Sequence, residues 1–126
     1  MTKVKVDVIE ARDLSGDSEV KGINNAYLQL YILNPLICQR QTTKPQSGLG
    51  ASISFTESFE FDASEADNLE VKLCKDEPHW DEKLYGARIP IREIFEMGGS
   101  MSGWFPLGEV MGEKRSGEIL LNIHTY

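Results

Sequence analysis

Apolar and polar residues alternate with period two along most of the chain. Val4, Val6 and Val8 alternate with Lys3, Lys5 and Asp7, the pattern of a strand with one face buried and one in water. Leu28, Leu30 and Ile32 alternate in the same way with Tyr27, Gln29 and Tyr31. Past the turn signal Asn34-Pro35, Cys38 to Thr43 reads as a shorter, polar strand. Gly48 and Gly50 break the chain before Ile53 to Phe61, where Ile53, Phe55, Phe59 and Phe61 share one face. Three further runs follow: Leu69, Val71 and Leu73, then Ala87, Ile89 and Ile91, then Trp104 to Leu107. Ile119, Leu121 and Ile123 make the eighth. Eight short strands separated by Gly, Pro, Asn and Asp predict an all-β, antiparallel sandwich or barrel. Helical spacing occurs once, where Ile91, Ile94 and Phe95 stand at i, i+3, i+4 and Gly98 is placed to end a turn or two. Trp104 is expected in the core or at the sheet rim.

The 126 residues suit one domain, spanning 1–126, with neither repeats nor a linker. The net charge of −7 argues against nucleic acid as a partner, because phosphate backbones select basic surfaces. The N-terminus alternates and does not form an apolar signal segment, and nowhere do ~20 apolar residues run together. The expected location is therefore cytoplasmic, with peripheral membrane association as the variant. Cys38 and Cys74 sit in apolar runs without metal-ligand spacing, so both are expected as reduced core or near-core thiols.

No catalytic constellation emerges. His79 and His124 stand far from any nucleophile motif, and phosphate-cradling loops and His-Glu-x-x-His are missing from the sequence. The adjacent acids Asp76-Glu77 and Asp81-Glu82 read as a solvated loop surface. The expectation is a binding module rather than an enzyme, working without a cofactor.

Several segments, in order, resemble the C2 domain family. Lys5 to Leu14 (Lys-Val-Asp-Val-Ile-Glu-Ala-Arg-Asp-Leu) is similar to its opening strand, and Gly22-Ile23-Asn24-Asn25-Ala26-Tyr27-Leu28 stands where the family has Gly-x-Ser-Asp-Pro-Tyr-Val. Phe55-Thr56-Glu57-Ser58-Phe59-Glu60-Phe61, the segment Leu69 to Gly86 with Ile89-Pro90-Ile91, and Trp104-Phe105-Pro106-Leu107 before Gly117-Glu118-Ile119 complete the match. The resemblance implies an eight-stranded antiparallel β-sandwich with one short helix. A strand following the Trp-Phe-Pro-Leu segment implies the family's type II order, with the Val4 and Ile119 strands as neighbours.

The resemblance also implies five calcium-ligating positions on two loops. Counted from the Leu69 strand and from Gly86, three of them fall on Lys75, Glu77 and Lys83; the first-loop pair falls on Asn25 and on Glu19 or Asp17. Calcium takes six to eight oxygen ligands, and a unit positive charge ~5 Å from a divalent ion costs on the order of 6 kcal/mol at an effective dielectric of ~20. A calcium-independent module is expected, although Asp17, Glu19, Asp76, Glu77, Asp81 and Glu82 leave weak millimolar binding as the competing expectation. Family members use the sandwich to dock proteins, to dimerise or to bind phospholipid. The first expectation here is a protein partner or a homodimer, with His79 and Trp80 as the candidate anchor. The alternative is a phospholipid surface, met by a weak patch of Arg40 and Lys44 beside Gln29, Tyr31 and Thr42.

Overall fold

The computed structural model describes residues 2–15, 26–33, 38–46, 52–76, 81–109 and 116–126. Eight strands and one helix follow in the order β1 (Thr2–Ser15), β2 (Ala26–Leu33), β3 (Cys38–Thr42), β4 (Ile53–Ala63), β5 (Asn68–Asp76), β6 (Asp81–Pro90), α1 (Ile91–Glu96), β7 (Ser100–Glu109) and β8 (Ser116–Thr125). All pairings are antiparallel, in the spatial order β3-β2-β5-β6-β7-β8-β1-β4. The link between β6 and β7 is only two residue pairs wide, Tyr85 with Glu109 and Gly86 with Gly108. There the sheet turns over into two four-stranded layers, and their inner faces form one core. This is the expected eight-stranded sandwich with one short helix.

The period-two residues build that core. Val4, Val6, Leu28, Leu30, Ile32, Leu69, Val71, Leu73, Ile119 and Leu121 are all fully buried. Each Val, Leu or Ile buried in this way contributes roughly 1.5–3 kcal/mol of transfer free energy. As expected, β1 and β8 are neighbours, running in register from Val4 opposite Thr125 to Val8 opposite Leu121.

β1 is longer than its first alternation suggests. Its inward residues continue as Ala11 and Leu14, three residues apart instead of two. Register shifts against β8 between Val8 and Glu10 and between Arg12 and Ser15 absorb the extra residues. Asp13 takes a left-handed backbone at φ 54 within the second, the geometry of a bulge that bends a strand and increases its twist.

Helix α1 buries Ile91 and Ile94 and stops at the predicted glycine. Gly98 and Gly99 adopt φ of 88° and 95°, and their N–H groups bond the Phe95 carbonyl at 3.0 Å and the Ile94 carbonyl at 2.9 Å. Glycine reaches these angles without strain, and the bonds satisfy carbonyls the helix leaves open. Ahead of the helix, the Asp67 carbonyl accepts the Ile91 N–H at 3.0 Å, and its carboxylate accepts the Ser64 N–H at 2.8 Å.

Trp104 departs from expectation. In β7 it is Met101 and Phe105 that pack against the core; Trp104, at the alternate position, lies half-buried on the outer face of its layer. Arg12 covers it, with the guanidinium carbon 3.6 Å from the ring centroid. Glu118 holds Arg12 there through Nε at 3.3 Å and Nη2 at 3.2 Å. Cys74 is a buried thiol, whereas the Cys38 side chain lies outside the described residues.

Candidate binding face

The layer β3-β2-β5-β6 turns Leu28, Leu30, Ile32, Leu69, Val71 and Leu73 inward, which directs the alternate residues of β2 and β5 outward. Register then sets these into rows that cross all four strands. Arg40 pairs with Tyr31, Tyr31 with Glu70, and Glu70 with Arg88. One step along, Thr42 pairs with Gln29, Gln29 with Lys72, and Lys72 with Gly86. Tyr27 opposite Cys74 begins the next row. The face therefore collects Arg40, Lys72 and Arg88 around a floor of tyrosine, glutamine and one carboxylate.

That carboxylate is the unusual member. The Glu70 side chain is only 8% exposed although it belongs to the outward face, and Arg88, 68% exposed, covers it with Nε donating to Oε1 at 2.5 Å. A carboxylate out of water is tolerated when an opposite charge and hydrogen bonds replace its hydration. On the other side of the row, the Arg40 guanidinium carbon lies 5.8 Å from the Tyr31 ring centroid, within cation–π range. Lys72 makes no ion pair among the described residues. Beside it on β2, Gln29 Oε1 is buried without a hydrogen-bond partner among them.

Of the two cations expected in a patch here, the structure places one on this face and one off it. Arg40 is on the face and exposed. Lys44 lies beyond the end of β3, where its N–H donates to Glu57 Oε2 at 2.8 Å, at the boundary with β4 and not within the rows. Lys72 and Arg88 were missed. Lys72 is outward by alternation with Val71 and Leu73, but only the pairing of β2 with β5 and of β5 with β6 brings it and Arg88 beside Arg40.

At the loop end, Lys75 pairs with Glu82 and Lys83 with Cys74, in successive pairs at the end of the β5–β6 hairpin. An ammonium has no lone pair to offer a cation. Glu19, Asn25, Glu77, His79 and Trp80 lie outside the described residues. Among the described residues, no cluster of three His, Cys, Asp or Glu side chains converges. Nor does a helix long and apolar enough to cross a membrane occur among them.

Residues 2–107 match the family model of the C2 domain. Among solved structures, the paired C2 domains, A and B, of extended synaptotagmin 2 with calcium bound superpose with a TM-score of 0.75 at 24% identity, covering 98% of this chain and 45% of that one. The chain thus spans less than half the length of that structure. The first-lettered C2 domain, A, of a plant extended synaptotagmin 1 gives 0.76 at 15% identity, covering 98% of this chain and 93% of that one. Human GIVD cytosolic phospholipase A2 gives 0.73 at 17% identity, covering 98% and 17%. No curated protein sequence matches the chain.

Proposed function

The chain belongs to the C2 domain family, and from that premise we propose that it is a calcium-independent module that binds anionic phospholipid headgroups through the outer face of β3-β2-β5-β6. C2 domains commonly bind phospholipid membranes or proteins. The observation that carries the choice is the row pattern: Arg40, Lys72 and Arg88 occupy one face of a chain whose net charge is −7. Overall repulsion from an anionic leaflet is screened beyond about 8 Å at physiological ionic strength, so the face that makes contact decides the outcome. With Glu70 set against Arg88, the three cations leave the face about two net positive charges, and at about 1 kcal/mol each near such a surface these predict weak and reversible attachment.

Calcium independence rests on Lys75 and Lys83, which stand at two of the five positions where the family places carboxylates. A protein partner is the second reading. Its support is the Tyr27, Gln29 and Tyr31 stripe that runs beside the cations, since tyrosine and arginine are enriched at protein interfaces, and the His79-Trp80 pair of the sequence.

Sedimentation with phosphatidylcholine vesicles, with and without phosphatidylserine, tests the proposal. The expected result is binding to serine-containing vesicles alone, unchanged by calcium or a chelator and weakened by salt and by Arg40→Ala with Lys72→Ala. Binding that requires calcium, or none to anionic vesicles, would overturn it.

A further inference from the structure

The two arginines of the face start far apart. Arg40 is on β3 and Arg88 on β6, three strand spacings away in the order β3-β2-β5-β6. At about 4.8 Å per spacing, their backbones are roughly 14 Å apart. Each guanidinium nevertheless leans toward the middle, because each has a partner on the adjacent inner strand. Arg40 leans over Tyr31 and Arg88 over Glu70, and Tyr31 and Glu70 face one another directly across the β2–β5 pair. Lys72 stands two residues along β5 from Glu70.

We propose that Glu70 is a positioning residue, whose buried carboxylate grips Arg88 by Nε and holds its guanidinium inward over the centre of the face. This rests on the reading that the face binds anionic headgroups. The grip uses Nε. The two Nη groups, which carry four of the five guanidinium donors, make no bond among the described residues and present themselves outward on a side chain that is 68% exposed. A long side chain fixed in this way loses less rotamer freedom when it meets a headgroup.

A competing role for the same carboxylate makes the opposite prediction. If Glu70 only cancels positive charge, removing its charge raises the local potential and anionic vesicles bind more tightly. If it positions Arg88, removing its charge weakens binding although the face has become more positive.

The experiment measures partitioning onto phosphatidylcholine–phosphatidylserine vesicles at fixed ionic strength, with a thermal melt of each variant as a check on folding. Arg88→Ala is expected to lower the partition coefficient about five-fold, the equivalent of one surface cation. Glu70→Gln is expected to lower it two- to five-fold, and to have no further effect in the Arg88→Ala background. Glu70→Asp, which keeps the charge and withdraws it by one methylene, is expected to weaken binding as well; it decides the matter if the Gln variant does not fold. Tighter binding by Glu70→Gln, unchanged binding by Glu70→Asp, or an equal loss from Glu70→Gln in the Arg88→Ala background would overturn the positioning role. If Arg40→Ala, Lys72→Ala and Arg88→Ala all partition like the wild type, the headgroup reading of the face fails, and the positioning role with it.

Discussion

The side-chain amide of Gln39 and the peptide group of Asp62 form a closed ring of two hydrogen bonds. Gln39 Nε2 donates to the Asp62 carbonyl at 2.6 Å, and Gln39 Oε1 accepts the Asp62 N–H at 2.8 Å. Gln39 lies on β3 and Asp62 on β4, the two ends of the strand order. Gln41 repeats half the arrangement, with Nε2 donating to the Glu60 carbonyl at 2.7 Å. One side of the sandwich is therefore joined by the two-pair β6–β7 link and the other by glutamine side chains. Side-chain amides occupy backbone groups that would otherwise offer a template for another chain's strand.

Gln39→Ala should therefore weaken the domain by about 1–2 kcal/mol, the net value of two partly buried hydrogen bonds. Urea denaturation should show a lower midpoint with an unchanged slope. Because Asp62 then offers an unpaired N–H and C=O on an edge strand, light scattering should also rise during prolonged incubation. An unchanged midpoint would mean that water replaces the amide without loss.

Gly117 marks a close approach between β8 and β1. A Cβ there would lie 2.8 Å from Leu14 Cδ2 and 3.3 Å from the Arg12 carbonyl oxygen. Leu14 can turn its side chain, but the Arg12 backbone is held by the β1–β8 ladder. Gly117→Ala is expected to cost about 1–3 kcal/mol, as overpacking does elsewhere, measured as a drop in melting temperature. Removing the whole of 117–126 should abolish cooperative melting, since β8 is paired on both sides by β1 and β7.

The strands were legible in the sequence wherever alternation was uninterrupted, as in Leu28-x-Leu30-x-Ile32. Legibility failed at bulges, which shift the buried face by one residue; Ala11 and Leu14 follow Val8 at spacings of three, so the second half of β1 carried no period-two signal. Trp104 was misplaced because aromatic size suggests burial, whereas register with Leu120 on β8 and the cover provided by Arg12 decide its face. The candidate face was half legible. Tyr31 and Arg40 are outward by simple alternation, but Glu70, Lys72 and Arg88 join them only through cross-strand register, which a single sequence does not state.

The phenol of Tyr126 donates to Glu60 Oε1, and that bond raises the Tyr126 pKa above its ordinary 10.0, with burial and the charge of Glu60 adding to it. A carboxylate stabilises the neutral phenol and opposes its ionisation. The sign of the linkage follows: the contribution to stability is present below the pKa of the unfolded phenol and is lost as pH rises through the higher folded value. The ring carbon shift of Tyr126 followed by NMR should titrate later than that of an unstructured tyrosine. Glu60→Gln should bring it back toward the ordinary value; a titration unchanged by that substitution would show that the bond does not persist in solution.

The lysines at the β5–β6 end give the most discriminating prediction. If charge alone keeps calcium from this module, carboxylates at Lys75, Lys83 and Asn25 should restore a site. Each Lys→Asp change removes a cation and adds an anion, and Asn25→Asp adds another anion. Both lysines stand at the end of the β5–β6 pair, Lys75 opposite Glu82 and Lys83 opposite Cys74. The triple variant Asn25→Asp, Lys75→Asp, Lys83→Asp is expected to bind calcium in the micromolar to millimolar range. It should gain thermal stability as calcium is added, because a ligand that binds only the folded state raises the melting temperature by mass action. Without calcium the variant should melt below the wild type, since like charges then crowd one end of the sandwich. The wild type should show no shift in the same titration. A wild type that shifts at micromolar calcium would place a cage of oxygen donors elsewhere among its acids. A triple variant blind to calcium would mean that the backbone of the two loops, as well as their charge, departs from what the ion requires.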